Sequence, residues 1–277
     1  MSATSGSMRF VRLTIVEMRR ALHRRLVRWM IALAVVLCGL MGVIVYISSR
    51  DPLELARSSD HPARMSSWWI SGGGDGILTM AALYLVVGAA ICGASVAGAE
   101  WRAGTITTAL TWEPSRLRLH AARTASAGVL SFVIGFALQV VFLAAATPAV
   151  ILNGSTDGTN GAWWGALVLA MLRIALITAL VAVLAVSVAT IGRNTSAALV
   201  VLAAWALVIE RLVAGLRPQL ARFMISENVA TVVPWAQMTD VEFERPPVVA
   251  LIALVGYLTV VVAVATTSFA RRDIAGA

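Results

Sequence analysis

The chain has 277 residues, 59% of them hydrophobic and 13% charged, with a formal net charge of +8 and a mean hydropathy of +0.85. A soluble domain is about 45–50% apolar and about 25% charged, so this composition excludes one and points to a polytopic membrane protein. All 22 basic residues are arginine, which excludes a Walker A phosphate loop, because that loop needs a lysine to reach the phosphates.

The first 28 residues are patterned. Val11, Ile15, Met18, Leu22, Leu26 and Trp29 recur at three- and four-residue steps, with Arg9, Arg12, Arg19, Arg20, Arg24 and Arg28 around the other side. The spacing predicts a basic amphipathic helix lying along a membrane surface over 1–28. Six apolar runs then reach the about 20 residues that a helix needs to cross a bilayer. They fall at 29–48, 76–98, 124–152, 163–191, 196–215 and 248–269. The run at 29–48 has a long charged leader and ends in Ser48-Ser49-Arg50-Asp51, which is no small-x-small cleavage site, so it is expected to remain as a span.

The second run carries small residues in two rows, Ala90, Ala94 and Gly98 beside Ala89, Gly93 and Ala97. Such rows let helices approach closely in lipid, either within one subunit or between two. Gly72-Gly73-Gly74 marks a flexible approach to that run. Between the second and third runs, residues 99–123 form a polar island with Glu100, Arg102, Glu113, Arg116, Arg118 and Arg123. Gly104 frees the backbone after a helix end, and Pro114 stops a short helix before it. The segment 210–247 mixes Leu220, Phe223, Met224, Val232, Val233 and Trp235 with charges and Pro234. It is too apolar for a free loop and too broken to span. It is expected to form one or two short outer interfacial helices over 211–247, or a shallow re-entrant pair.

Arginine distribution orients the chain. The segments 1–28, 99–123, 192–195 and 270–277 hold 14 of the 22 arginines. Because arginine-rich loops stay inside, both termini are expected in the cytoplasm and the protein in the plasma (inner) membrane. The positive charge then faces anionic membrane lipid, and no nucleic-acid partner is expected. Trp29, Trp68, Trp69, Trp101, Trp112, Trp163, Trp164 and Trp235 lie at or near the predicted boundaries, where indole prefers to sit, while Trp205 is mid-span.

Little in the chain carries catalytic chemistry. His23, His61 and His120 are isolated and outside the runs. Cys38 and Cys92 sit within runs as packing residues rather than a disulfide. No Cys/His cluster or Gly-x-Ser-x-Gly motif occurs, and the runs hold neither paired carboxylates at helical spacing nor a buried Asp/Glu/His chain, which argues against a hydrolase, a metalloenzyme and a proton antiporter. Arg173 and Glu210 are candidates for an intramembrane pair. Counted from the inner turn at Arg193 at about 1.5 Å per residue, they lie about 30 Å and about 25 Å deep, close to one level.

Glu100, Gly104-Thr105, Pro114, Ser115-Arg116 and Arg123 together resemble the signature of type-2 ABC exporter permeases. The ending Phe269-Ala270-Arg271-Arg272-Asp273-Ile274 is similar to one common in that family, and the amphipathic start and six spans match along the whole chain. The resemblance implies an all-α polytopic fold. A cytoplasmic interface helix over 1–28 would precede a six-helix transmembrane domain over 29–277. It implies a non-enzymatic subunit that exports a small apolar or amphipathic compound (a drug, an antibiotic or a lipid-like molecule). ATP and Mg would be bound on a partner, with no cofactor in this chain. The partners would be two copies of an ABC ATPase and a second or related permease. Loop 99–123 would couple them, with Gly104 to Trp112 as a coupling helix, Glu100 as its anchor, and Arg102, Thr105, Trp112, Pro114 and Arg116 as contact or shaping residues. The family's large outer domain after the first span is missing here, so very large substrates are not expected. The alternative is a secondary carrier or a non-transporting membrane scaffold.

Overall fold

The protein is an all-α polytopic membrane protein. A computed structural model describes residues 3–51, 60–69, 76–236 and 245–271. Gly72-Gly73-Gly74, the end of the chain from Arg272 and part of 211–247 lie outside the described residues. A surface helix, α1 (Ala3–His23), breaks at Arg24 into α2 (Arg25–Ser48). Then follow α3 (Ile77–Arg102), the short α4 (Ile106–Trp112), α5 (Arg116–Asn153), α6 (Gly161–Gly192) and α7 (Thr195–Leu216). One turn, α8 (Pro218–Ala221), precedes α9 (Ile225–Val232) and α10 (Pro247–Arg271). Among the described residues there is no strand, only an isolated bridge from Arg64 to Ser155.

Six of these helices are long and apolar enough to cross a membrane, and each covers one of the six predicted runs. The helices outrun their apolar stretches, most clearly α5. Its 38 residues extend to about 57 Å at about 1.5 Å each, against a hydrocarbon core of about 30 Å. Its first two turns, Arg116 to Arg123, therefore stand clear of the core at the arginine-rich end of the bundle. The ends of α3, α6 and α10 and the starts of α2 and α7 share that end.

Helix α6 is the central post. Of its most apolar window 61% is buried, against 11% for α2 and for α7. The small-residue rows of α3 explain how α3 reaches it. Ala94, Val96, Ala97, Ala185, Val186 and Ala189 share one buried cluster. A Cβ at Gly93 would stand 2.5 Å from the Ala182 carbonyl oxygen, and one at Gly98 would collide with the Thr195 backbone. The two rows thus serve packing within the subunit, against α6 and the start of α7. Gly93→Ala is expected to cost about 1–3 kcal/mol, since the clash is with backbone that cannot rotate away. A lowered midpoint in thermal unfolding of the detergent-solubilised protein checks this.

The opposite end is closed by packed aromatics. Trp68 and Trp69 are buried with Met65, Leu78, Phe142, Leu167, Ile174 and Val232, and Trp68 Nε1 donates to the Pro62 carbonyl at 2.8 Å. These two indoles belong to the core rather than to an aromatic belt facing lipid. Trp29 and Trp164 are exposed. Both cysteines are free thiols.

Candidate functional site

The island between α3 and α5 folds from local signals. Helix α3 ends in a Schellman cap: Gly104 N–H donates to Trp101 O at 3.3 Å and Thr105 N–H to Glu100 O at 3.1 Å. That cap needs a left-handed residue, and Gly104 supplies it with φ +64°. Helix α4 follows at once and stops at Trp112, with Glu113 extended before Pro114. Ser115 then caps α5 by accepting from Arg118 N–H at 3.3 Å. Glu113 accepts from Ser115 N–H at 3.1 Å and from Arg118 Nη1 at 3.2 Å.

Helix α4 has two distinct faces. Ile106 and Ala109 point inward to Leu119 and Phe269, with Trp101 and Leu110 beside them. Thr107, Thr108, Thr111 and Trp112 point outward, and the Trp112 side chain is 81% exposed. Arg102, Gly104, Thr105 and Pro114 are also exposed around it. Arg116 instead turns to the end of α10 and donates to the Phe269 and Ala270 carbonyls at 3.5 and 3.4 Å. That places a cation on the negative end of a helix dipole. Trp101 meets Phe269 edge-on at 6.1 Å, and the Arg193 guanidinium stands 4.7 Å over the Trp101 ring.

Behind α4 lies an ion network. Glu100 accepts from Arg24 Nη2 at 3.0 Å through one oxygen and from Arg123 Nη2 through the other. Arg123 Nε faces Glu17 Oε2 at 3.7 Å, and Glu17 pairs with Arg20 at 3.0 Å. Arg24 also donates to the Ser95 and Val96 carbonyls at 2.7 and 3.1 Å. Burial lowers the Arg24 pKa, and the Glu100 carboxylate acts against that. Glu17 is 1% exposed and Arg123 3%, and each of these buried charges has an opposite charge beside it. The network ties α1, α3 and α5 together at the foot of the island. Arg24 belongs to the predicted basic face, but its pairing with Glu100 and the role of Glu17 are not expected from the sequence. The signal was available, since Glu17 is the only acid among seven arginines in 1–28 and falls on their side of the helix, three residues from Arg20.

Arg173 and Glu210 do not form the expected pair. Glu210 is 2% exposed and accepts from Trp205 Nε1 at 2.7 Å and from the Ile225 and Ser226 N–H groups at 2.9 Å. It thus holds the N-terminus of α9, where a negative charge is favoured. Arg173 lies between the Trp69 and Trp235 rings, 5.5 Å from each centroid, and its Nε donates to the Leu169 carbonyl. A double-mutant cycle between Glu210→Ala and Arg173→Ala is therefore expected to be additive within about 0.5 kcal/mol. Glu210→Ala alone should cost about 1–3 kcal/mol for the three N–H donors it leaves unpaired. Thermal unfolding midpoints of the three variants check both numbers.

Another polar bridge crosses the core: Gln139, fully buried in α5, donates through Nε2 to the Met171 carbonyl of α6 at 3.1 Å. No group of three or more His, Cys, Asp or Glu placed to hold a metal occurs among the described residues. A scan against protein-family models finds no match, and a search of curated proteins finds none either.

Proposed function

We propose that the chain is the membrane subunit of an ATP-driven exporter and that a separate ATPase docks on the outward face of α4. One observation carries the reading: α4 presents an almost fully exposed tryptophan while its other face is fastened to the ends of several spans. Force applied at Trp112 would pass through Ile106 and Ala109 to Leu119 of α5 and Phe269 of α10. Through Trp101 it would reach Arg193 at the turn between α6 and α7. Through Glu100 it would reach α1. A free loop has no such attachments. A rigid set of packed and ion-paired contacts of this kind is what would carry docking into helix movement.

The arginine-rich end would then be cytoplasmic, with two copies of the ATPase serving a pair of permeases. The spans offer few polar groups, so the exported compound would be small and apolar or amphipathic. ATP and Mg would be held by the partner, since no lysine is present to build a phosphate loop. The test is to purify the tagged chain from its own cells, to ask whether a Walker A ATPase is retained, and to follow ATP hydrolysis by the reconstituted complex. Retention of the ATPase and stimulation of its turnover by a transported compound support the reading. A chain that retains no ATPase overturns it.

A further inference from the structure

Helix α1 carries a second site that the exporter reading does not use. Val16, Arg19, Arg20, His23 and Arg24 fall at three- and four-residue steps and line an open groove of about 430 Å³. That is within the about 300–1,000 Å³ of ordinary ligand sites. Around the helix, the groove lies between two other faces. On one side Glu17 and Ala21 are buried against the bundle. On the other Ile15 and Leu22 are exposed.

The charges around the groove do not balance. The buried network sets three guanidiniums, Arg20, Arg24 and Arg123, against two carboxylates, Glu17 and Glu100. One positive charge is left over, and two of those three arginines form the groove wall. Arg19, exposed beside them, adds another. The groove also sits where α1 breaks into the first span at Arg25, the level at which lipid headgroups lie. We propose that this groove binds the headgroup phosphate of an anionic phospholipid, with Arg19 and Arg20 on the phosphate. One acyl chain lies along the exposed Ile15 and Leu22 of α1. Basic pockets at helix junctions are suited to this recognition, and an apolar row beside the cations sets it apart from a free-phosphate site.

Native mass spectrometry of the full chain in detergent, titrated with phosphatidylglycerol and with phosphatidylcholine, tests the site. Phosphatidylglycerol is expected to bind at one saturable site and phosphatidylcholine at least tenfold more weakly. The double change Arg19→Gln and Arg20→Gln should weaken phosphatidylglycerol about 30-fold, the equivalent of about 2 kcal/mol for two interfacial arginines. Arg19→Gln alone, outside the network and harmless to folding, should weaken it about fivefold. The pair Arg9→Gln and Arg12→Gln, on the same side of α1 but beyond the groove, should change it less than twofold. Equal losses from both pairs would mean diffuse surface attraction and would overturn the site. So would equal binding of the two lipids. Inorganic phosphate that displaces the lipid at equal concentration would show a free-anion site and would refute the lipid assignment.

Discussion

Glu100→Ala is expected to be the most destabilising single change in the described structure. Glu100 is the node on which Arg24 and Arg123 converge, and the Arg123 side chain is 4% exposed. Removing the carboxylate leaves three guanidiniums facing Glu17 alone. Breaking a buried pair in this way costs about 3–5 kcal/mol, because the orphaned charge stays buried. A fall of the thermal unfolding midpoint by on the order of 10 °C would follow. Arg123→Met should cost less. It leaves Glu17 with Arg20 and Glu100 with Arg24, so no acid is stranded. Combining the two changes should cost less than the sum, because the second removes the charge that the first exposes. Glu100→Gln separates charge from shape, since the amide still accepts one hydrogen bond but neutralises neither arginine. Its midpoint should fall between those of the wild type and Glu100→Ala. If Glu100→Ala melted with the wild type, water would be replacing the carboxylate and the network would not be closed.

The parts of this structure that were legible in sequence are those fixed by nearby residues. The spans follow from apolar length alone. The cap after α3 and the stop of α4 follow from Gly104 and Pro114, whose backbone restrictions act within a turn. The small rows of α3 were legible as a contact surface, but their partner was not, since the Ala182, Ala185 and Ala189 of α6 do not stand out in an alanine-rich chain. The ion network was illegible for a different reason. Arg24 and Glu100 are 76 residues apart, and nothing in a one-dimensional pattern states which helix stands beside which.

The misread pair shows the limit of counting depth. Arg173 and Glu210 were placed near one level by residue rise, and rise constrains height but not direction. Between Trp205 and Ile209 helix α7 widens into a π turn. Such a turn adds a residue and rotates all that follows by roughly a quarter turn. Glu210 comes out of it facing Trp205 and the start of α9. The π turn follows a run of Val, Leu and Ala with no Pro or Gly to announce it. Its reason lies in the tertiary contact it creates, the Trp205–Glu210–α9 bonds, and not in local propensity.

On the proposed function, Trp112→Ala is expected to abolish docking of the ATPase while leaving the chain folded. The two outcomes separate because α4 divides its residues by face. Ile106 and Ala109 hold it to the bundle, whereas Trp112 is 81% exposed and stabilises little. Tryptophan is among the residues that dominate interface energy, so the indole on the outward face of α4 is the natural anchor for the proposed partner. Truncating such an anchor costs about 2–4 kcal/mol of binding, roughly a 30- to 1,000-fold loss of affinity. The immobilised Trp112→Ala chain should therefore need about 30- to 1,000-fold more ATPase for half-saturation than the wild type, with an unchanged melting midpoint. Ile106→Ala is the informative contrast. It should lose the ATPase and also melt lower, by about 2–4 kcal/mol of core packing, because it releases α4 from Leu119 and Phe269. If Trp112→Ala bound the ATPase as well as the wild type, the exposed face of α4 would not be the docking surface. The attachments behind it would then serve stability alone.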